Sequence, residues 1–252
     1  MSARDAHQRG DAQFDRFRTR PGSDYIASGF ALGRLAELVE VRAPRSILEI
    51  GAGIGAITAT LLEARERAGT TDGEYVAVED IPFCLEQLAT NLGPQIDAIT
   101  VVPRAAAIAP EHGPFDLVII DGGATTDLIP EDRHLFPPEA EADDVRSWLP
   151  RIAHGGVVVA ENVRLRQRQV MEAEVGRAFV HEHVRPLDGS PGLHIYRFEP
   201  DDATRARVRV REGLRQLWFG RGFRLAKRAW AKGTSRPFPR RSRVAPGEAG
   251  WD

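Results

Sequence analysis

The sequence predicts an α/β fold: a mostly parallel sheet of seven strands, with helices on both faces and an antiparallel strand pair at its end. Three observations predict it. A glycine-rich turn at residues 51–55 joins an apolar run to a helical pattern. Apolar runs of strand length then alternate with helical patterns, which is typical of strand–helix–strand units in a parallel sheet. Two further strand-like runs, separated by a turn rich in glycine, close the series.

The glycine turn is the most informative stretch of the chain. Residues 46–50 form a short apolar run broken only by Glu49, and glycines follow at three alternate positions. The next apolar residues recur at the spacing of one helix face and stop at a glycine: Ile57, Leu61, Ala64 and Ala68, then Gly69. Glycine permits a sharp turn and lets a ligand lie against bare backbone, with the N–H groups that open the helix facing it. An ordinary strand–helix connection is the alternative interpretation.

The elements before this turn follow from composition and spacing. Residues 1–21 are polar and charged, so we expect them to be flexible or loosely docked. Ser23 is suited to cap a helix that runs to about Val41. The residues predicted on the buried face of that helix are Tyr25, Leu32, Leu35 and Val39.

Beyond the turn, strands and helices alternate. Further strands are predicted at residues 75–78, 99–102, 115–120, 157–160, 179–184 and 193–198. Asp80 is predicted to cap a helix that ends at Gly93, and its buried side is predicted to be formed by Ile81, Leu85, Leu88 and Leu92. Two more helices are expected near residues 145–152 and 166–178. Residues 124–144 are acidic and rich in proline, and their length indicates a lid or substrate loop.

The glycine turn and the acid before it carry a resemblance to a known family. Glu49, Gly51, Gly53 and Gly55 match in full the loop E/D-x-G-x-G-x-G, the first motif of class I S-adenosylmethionine-dependent methyltransferases. The resemblance covers roughly residues 46–200 and implies a Rossmann-like sheet with S-adenosyl-L-methionine as the cofactor. Gly51, Gly53 and Ala56 also satisfy the dinucleotide pattern G-x-G-x-x-G/A. A nicotinamide dehydrogenase is the least supported interpretation, because it leaves Glu49 unexplained.

The resemblance also implies which residues hold the methyl donor. Glu79 ends the second strand, where an acid can accept hydrogen bonds from both ribose hydroxyls. The family often places an acid after the third strand for the adenine amino group, but this chain has Arg104 and alanines there, so that contact is missing or made by backbone. The full set predicted to bind the cofactor is Glu49, Gly51, Ala52, Gly53, Gly55, Glu79, Asp80 and Asp121.

Oxygen-bearing side chains follow the fourth and fifth strands. If the strand order is that of the family, Asp121, Glu161 and Asn162 converge at one edge of the sheet. Two carboxylates and an amide oxygen suit Mg²⁺. The arrangement resembles the cation-dependent O-methyltransferases of the catechol and caffeoyl-CoA type, with Glu161 in place of an aspartate. Polar residues that hydrogen-bond neighbouring loops are the alternative interpretation.

The same families place a lysine three residues after the first of these acids, as the base that removes the hydroxyl proton. Here Ala124 occupies that position, and the chain's two lysines, Lys227 and Lys232, both lie near its C-terminus. A metal can lower the pKa of the hydroxyl without a lysine. The candidate catalytic residues are therefore Asp121 and His134, although a lone loop histidine is commonly just solvated.

Composition bounds the rest of the chain. Its 252 residues allow a methyltransferase domain at residues 22–200 between the N-terminal segment 1–21 and a basic, partly helical tail at 201–252. The single cysteine, Cys84, excludes an internal disulfide and is interpreted as a small core residue. No run has the length of a transmembrane segment and no signal peptide is evident, so a cytoplasmic location is expected. The oligomeric state stays open.

Charge is distributed unevenly along the chain. From residue 203 onward there are 14 arginines and lysines but only three acids, although the net charge of the whole chain is −2. Basic residues interleaved with aromatic ones suit an anionic partner, which is nucleic acid, a membrane surface or the acidic body of this same chain. A docked helix followed by a disordered end is the alternative interpretation.

These patterns favour one function and leave two others open. The favoured function is S-adenosylmethionine-dependent methylation of a hydroxyl on a small-molecule acceptor, assisted by a divalent cation. The second is methylation of RNA or protein recruited by the basic tail. The third is a non-catalytic module that binds S-adenosylmethionine but lacks a base.

Overall fold

The computed structural model describes residues 3–122, 138–161, 165–186 and 192–199, together with the single positions 201, 203, 206 and 210. The helices of this part of the chain are α1 (Ala3–Phe17), α2 (Gly29–Arg42), α3 (Ala56–Ala68), α4 (Pro82–Leu92), α5 (Pro138–Trp148) and α6 (Leu165–Glu174). The strands are β1 (Ser46–Ile50), β2 (Glu74–Val78), β3 (Thr100–Val102), β4 (Phe115–Ile120), β5 (Ile152–Glu161), β6 (Phe179–Val184) and β7 (Leu193–Phe198).

The strands form one seven-stranded sheet in the order β3-β2-β1-β4-β5-β7-β6. Strands β1 to β5 pair in parallel, whereas β7 runs antiparallel to both β5 and β6. This topology confirms the predicted fold class. The strand order reverses between β1 and β4, and ligands of open parallel sheets bind beyond the carboxyl ends of strands at such a point.

Strand β5 is longer than the sequence predicts. It begins at Ile152 rather than at Val157, and it includes His154, Gly155 and Gly156, which precede the predicted strand. Its register against β4 shifts between Phe115 and Leu117. A bulge can absorb extra residues within a strand, so a glycine pair does not have to end it.

Alternate residues of the central strands enter two different cores. Ile47, Leu117 and Val159 pack with α2 and α3 on one face of the sheet. Leu48 and Val158 pack on the other face with Val145 and Trp148 of α5 and Met171 of α6. Because side chains alternate across a strand, continuous apolar runs such as FDLVII are buried on both faces, as the sequence predicts.

The N-terminal segment differs from the expectation. Instead of being flexible, it forms α1, whose Ala6 and Phe17 are buried. The helix packs on α2 backbone to backbone: a Cβ atom at Gly10 would lie 2.1 Å from the carbonyl oxygen of Gly29. An ion pair of 3.2 Å between Arg9 and Glu40 also joins the two helices. Glycine contacts leave no hydrophobic pattern in the sequence, so periodicity alone does not predict this docking.

The predicted start of α2 is wrong. Ser28 rather than Ser23 caps α2, since its hydroxyl accepts a hydrogen bond of 3.2 Å from the backbone N–H of Ala31. Residues 23–25 form a short 3-10 turn that leaves Tyr25 72% exposed. Leu32, Leu35 and Val39 are buried as predicted.

Asp80 does not cap α4. The N-cap residue is Ile81, which makes no side-chain cap hydrogen bond, and Pro82 opens the helix. Ile81 is exposed, whereas Leu88 and Leu92 are buried as predicted. Proline at the first helical position lacks the N–H that a cap would satisfy, so a helix can start there without an acid.

Several predicted features lie outside the described residues. They are most of the loop at residues 124–144 with His134, the metal-ligand candidate Asn162, and nearly all of the basic tail. The chain divides into two compact units, Met1–Pro200 and Asp201–Asp252. In the described ranges, no helix has the length and apolar character needed to cross a membrane.

Candidate active site

The glycine turn is locked to the ends of both neighbouring strands. The backbone N–H groups of Gly51 and Ala52 donate to the carbonyl oxygen of Val78 at 2.9 and 3.1 Å. On the other side, the carbonyl oxygen of Ile50 accepts from the N–H of Gly122 at 2.7 Å. Gly51 has φ +85°, and a Cβ atom there would lie 2.1 Å from the Cα of Gly122. Gly51 is therefore required by the contact between the ends of β1 and β4.

Gly53 occupies a different environment. Its φ is +53°, and a Cβ atom built on it would meet no protein atom within 4 Å. Open space beside a left-handed glycine at the edge of the sheet is what a closely approaching ligand needs. At Gly55, by contrast, a Cβ atom would lie 2.9 Å from Cδ1 of Leu88, so this glycine serves the packing of α4. Of these three glycines, Gly53 alone has no protein atom within 4 Å of its Cβ position.

Glu79 supports the turn from β2. Its Oε2 accepts a hydrogen bond of 2.7 Å from the backbone N–H of Gly53. Its Oε1 accepts from the N–H groups of Asp80 and Ile81 at 3.1 and 3.0 Å. The side chain is only 7% exposed. The N–H groups of residues 51–53 thus donate to Val78 and Glu79. The predicted contact of Glu79 with ribose stays a prediction.

Replacing Glu79 by alanine should have two separate effects. Three backbone N–H groups lose their acceptor, which should lower the free energy of unfolding by about 1–3 kcal/mol. Loss of the charged ribose contact should weaken donor binding by about 1.5–3 kcal/mol. Urea unfolding and calorimetry measure the two effects independently, with Glu86→Ala, which removes an exposed acid on α4, as the control. Wild-type affinity in Glu79→Ala would exclude the ribose contact, and wild-type stability would exclude the support of the turn.

Glu49 lies beneath the turn and is completely buried. Its Oε2 accepts hydrogen bonds from the hydroxyl of Thr58, at 2.8 Å, and from that of Tyr75. Its Oε1 is buried and has no hydrogen-bond partner. Burial raises the pKa of this carboxyl to about 7, against the effect of the two hydroxyl donors, and the charge of Glu79 raises it further. Its predicted role in binding the cofactor stays a prediction.

Asp121 and Glu161 occupy matching positions at the sheet edge. Ile120 pairs with Ala160 in the parallel ladder, so the residues that follow them are neighbours. Adjacent strands are about 4.8 Å apart, a spacing at which one cation can reach both carboxylates. Both side chains are partly buried and both take part in polar interactions. In the ranges that the structure describes, no group of three His, Cys, Asp or Glu side chains is arranged to hold a metal ion.

Two amide side chains at the site were missed by the sequence reasoning. Gln167 of α6 donates a hydrogen bond of 2.8 Å from Nε2 to the carbonyl oxygen of Gly122. Asn91 of α4 donates one of 2.9 Å from Nδ2 to the carbonyl oxygen of Ile54. They attach helices on opposite sides of the site to its backbone. No local pattern marks either residue, because each contact depends on tertiary docking.

The sequence of this region matches a known family. Residues 48–163 match the family described as a methyltransferase domain. A protein-L-isoaspartate O-methyltransferase from Chromobacterium violaceum is 30% identical over 139 residues, which are 52% of this chain and 60% of that protein. The chain thus spans 60% of the length of this curated relative.

Solved structures share the fold. An O-methyltransferase from Bacillus cereus in complex with SAH has a TM-score of 0.54 and 17% identity, covering 77% of this chain and 91% of that chain. The O-methyltransferase TomG from Streptomyces achromogenes, involved in tomaymycin synthesis and in complex with SAM, has a TM-score of 0.51 and 20% identity, covering 77% and 90%. Residues 48–163 therefore match a methyltransferase-domain family, and the solved structures share the sheet architecture that the sequence predicts.

Proposed function

We propose that this protein binds S-adenosylmethionine at residues 51–55 and transfers its methyl group to a hydroxyl of a small molecule. The observation that carries the proposal is the open space beside Gly53, within a turn that matches the family motif in full. Two solved structures of similar fold contain the methyl donor or its product, and both are O-methyltransferases.

Catalysis would depend first on proximity. The donor loop is fixed to the end of β4 through the Ile50 carbonyl and the Gly51–Gly122 contact. A donor held by this loop and an acceptor bound over the ends of β4 and β5 would meet in a fixed alignment. Holding two reactants in line removes much of the entropic barrier of a bimolecular reaction.

A divalent cation fits the acceptor side. Asp121 and Glu161 supply two carboxylates at adjacent strand ends, and hard cations such as Mg²⁺ prefer such oxygen ligands. Asn162 is the predicted third ligand, outside the described residues. When bound, the cation would lower the pKa of the acceptor hydroxyl, which matters because the family's lysine is replaced by Ala124.

A second candidate is methylation of a protein. The curated relative from Chromobacterium violaceum is a protein-L-isoaspartate O-methyltransferase. The basic segment after residue 203, with 14 arginines and lysines against three acids, suits recruitment of an anionic macromolecule. The nature of the methylated product separates the two candidates.

Two measurements test the proposed function. Calorimetry should show binding of S-adenosylmethionine and its demethylated product but not of NAD. Incubation with isotopically labelled donor and a metabolite extract should then place the label in a small molecule, whereas label in a protein or RNA fraction would favour the second candidate. Donor binding without any labelled product would indicate a non-catalytic binding module. Tight NAD binding without donor binding would overturn the methyltransferase proposal.

The metal proposal has its own test. Chelator should suppress methyl transfer, and Mg²⁺ should restore it. Asp121→Asn should lower the turnover rate at least about tenfold, far more than it lowers donor affinity, because the cation acts on the acceptor. Asp97→Asn, an exposed carboxylate elsewhere in the chain, is the control. Full activity in excess chelator would exclude the cation and leave Asp121 and His134 as the candidate bases.

A further inference from the structure

A group of basic side chains lies on the face of the sheet that α6 covers, close to the edge where Asp121 follows β4 and Glu161 ends β5. It consists of His181 and His183 on β6, His194 on β7, Arg168 on α6, and Arg185 just after β6, and we call it the His–Arg cluster. Strand register connects it to the candidate active site. Ile120 pairs with Ala160, Ala160 with His194, and His194 with His183, so these positions form one row across four strands.

The cluster is tightly packed. The rings of His183 and His194 stack with their centroids 3.9 Å apart. Nδ1 of His194 lies 2.7 Å from Nη1 of Arg168 and 2.8 Å from Nε2 of His181. Since a guanidinium can only donate, Nδ1 of His194 must accept, and the ring is neutral with its proton on Nε2. Burial, followed by the nearby positive charges, lowers the pKa of His194 to about 3.

Arg168 is the unusual member. It is only 7% exposed, and its Nε is buried with no hydrogen-bond partner. Its Nη1 contacts a neutral imidazole, and the side chain lies near the hydroxyl of Tyr196. Within the described ranges no ion pair joins Arg168 to a carboxylate, and the nearby hydroxyl of Tyr196 donates to Glu172. A buried guanidinium without a direct counter-ion is costly, so the site favours an anion.

Arg185 extends the positive charge of the cluster toward solvent. Its Nε lies 3.2 Å from Nδ1 of His183, and its side chain is exposed. Among the residues that the structure describes, no acid forms an ion pair with it. Glu182, the acid nearest in sequence, lies 4.0 Å from Arg197 instead. Two guanidiniums, one buried and one exposed, thus flank a row of imidazoles.

We propose that the His–Arg cluster binds an anionic group, a carboxylate or a phosphate, of the acceptor molecule. This inference rests on the proposed function only in its statement that the anionic group belongs to the methyl acceptor. The link to the acceptor is positional: Gln167, next to Arg168 on α6, hydrogen-bonds the backbone of Gly122 at the end of β4. An anion held by Arg168 and Arg185 would therefore orient the acceptor beside Asp121 and Glu161.

Inorganic phosphate and acetate, added separately to the full-length protein, are the probes. Side-chain NMR of the histidines at neutral pH should show saturable shifts for His181, His183 and His194. Two histidines outside the cluster serve as internal controls: His7 on α1 and His112 in the loop before β4. Their resonances should not shift. The probe that binds more tightly assigns the anionic group as phosphate or carboxylate.

Arg185→Gln provides the decisive variant, because the residue is exposed and its loss should not affect folding. It should weaken binding of the preferred anion about tenfold, as expected for one charge-assisted contact. Arg45→Gln removes another exposed arginine, outside the cluster, and should leave the affinity unchanged. Arg168→Gln should abolish the shifts if the variant folds.

Three outcomes would overturn the proposal: neither probe shifts the cluster, the control histidines shift equally, or Arg185→Gln binds as tightly as the wild type. Calorimetry with the demethylated donor product, run on the same sample, separates this inference from the proposed function. If the product binds but neither anion does, the anion-site proposal is refuted and the methyltransferase proposal stands. If an anion binds but the product does not, the cluster is supported as an anion site and the methyltransferase proposal is refuted.

Discussion

Gly51→Ala is expected to yield a protein that does not fold stably. The new Cβ atom would lie 2.1 Å from the Cα of Gly122 and 2.4 Å from its N, and both are backbone atoms of a central strand end. It would also hold a non-glycine residue at φ +85°, at a cost of about 1–2 kcal/mol before any steric repulsion. Displacing β4 from β1 should bring the total to several kcal/mol, a large share of the roughly 5–15 kcal/mol that stabilise a domain.

Gly53→Ala is the matched comparison. Its Cβ atom would meet nothing within 4 Å, so the only cost to folding is the left-handed conformation, about 1–2 kcal/mol. The methyl group would nevertheless occupy the space assigned to the methyl donor, and Gly53→Val would fill more of it. Urea unfolding should therefore separate Gly51→Ala from the wild type, while calorimetry should show loss of donor binding in a folded Gly53→Ala. Normal stability of the first variant, or normal affinity of the second, would contradict these roles.

Glu49→Gln is expected to remove a pH dependence of stability worth about 3 kcal/mol. Burial raises the pKa of Glu49 from 4.5 to about 7 in the folded protein. Between these values the folded state holds a proton that the unfolded state has released, so stability falls as pH rises from about 4.5 to about 7. Each pKa unit corresponds to about 1.36 kcal/mol, and above pH 7 the loss is complete.

Urea midpoints of the two proteins between pH 5 and pH 8 would measure this effect. Glutamine keeps an oxygen for the hydroxyls of Thr58 and Tyr75 but does not ionise, so any cost of its amide group is the same at every pH. The difference in stability between wild type and variant should therefore shift in favour of the variant as pH rises. Parallel curves for the two proteins would show that Glu49 is not the group responsible.

Much of the sheet follows from local sequence. The bounds of β1, β4, β6 and β7 match those predicted from apolar runs and turn residues. These strands are covered on both faces or paired across a short connection, and both situations leave a strong pattern. The docking of α1 leaves no such pattern in the sequence, because Gly10 makes its contact through backbone atoms.

The candidate site was predictable in position more than in detail. The adjacency of Asp121 and Glu161 follows from topology once β4 and β5 are neighbours. The three N–H bonds to Glu79 could not be inferred, since an acid at a strand end looks the same in sequence whether it faces ligand or backbone. The motif likewise groups Gly51 with Gly53, although the first contacts β4 and the second faces open space.

The contact between Gly51 and Gly122 also determines when the glycine turn is complete during synthesis. A growing chain that ends before β4 already contains β1, β2 and the whole glycine motif, but it lacks the backbone on which Gly51 rests. Joining them is a long-range event in the sequence, and such pairings form late in folding. A ligand held by this loop therefore stabilises only chains in which β1 and β4 have met, and adding it during refolding should raise the yield of native protein.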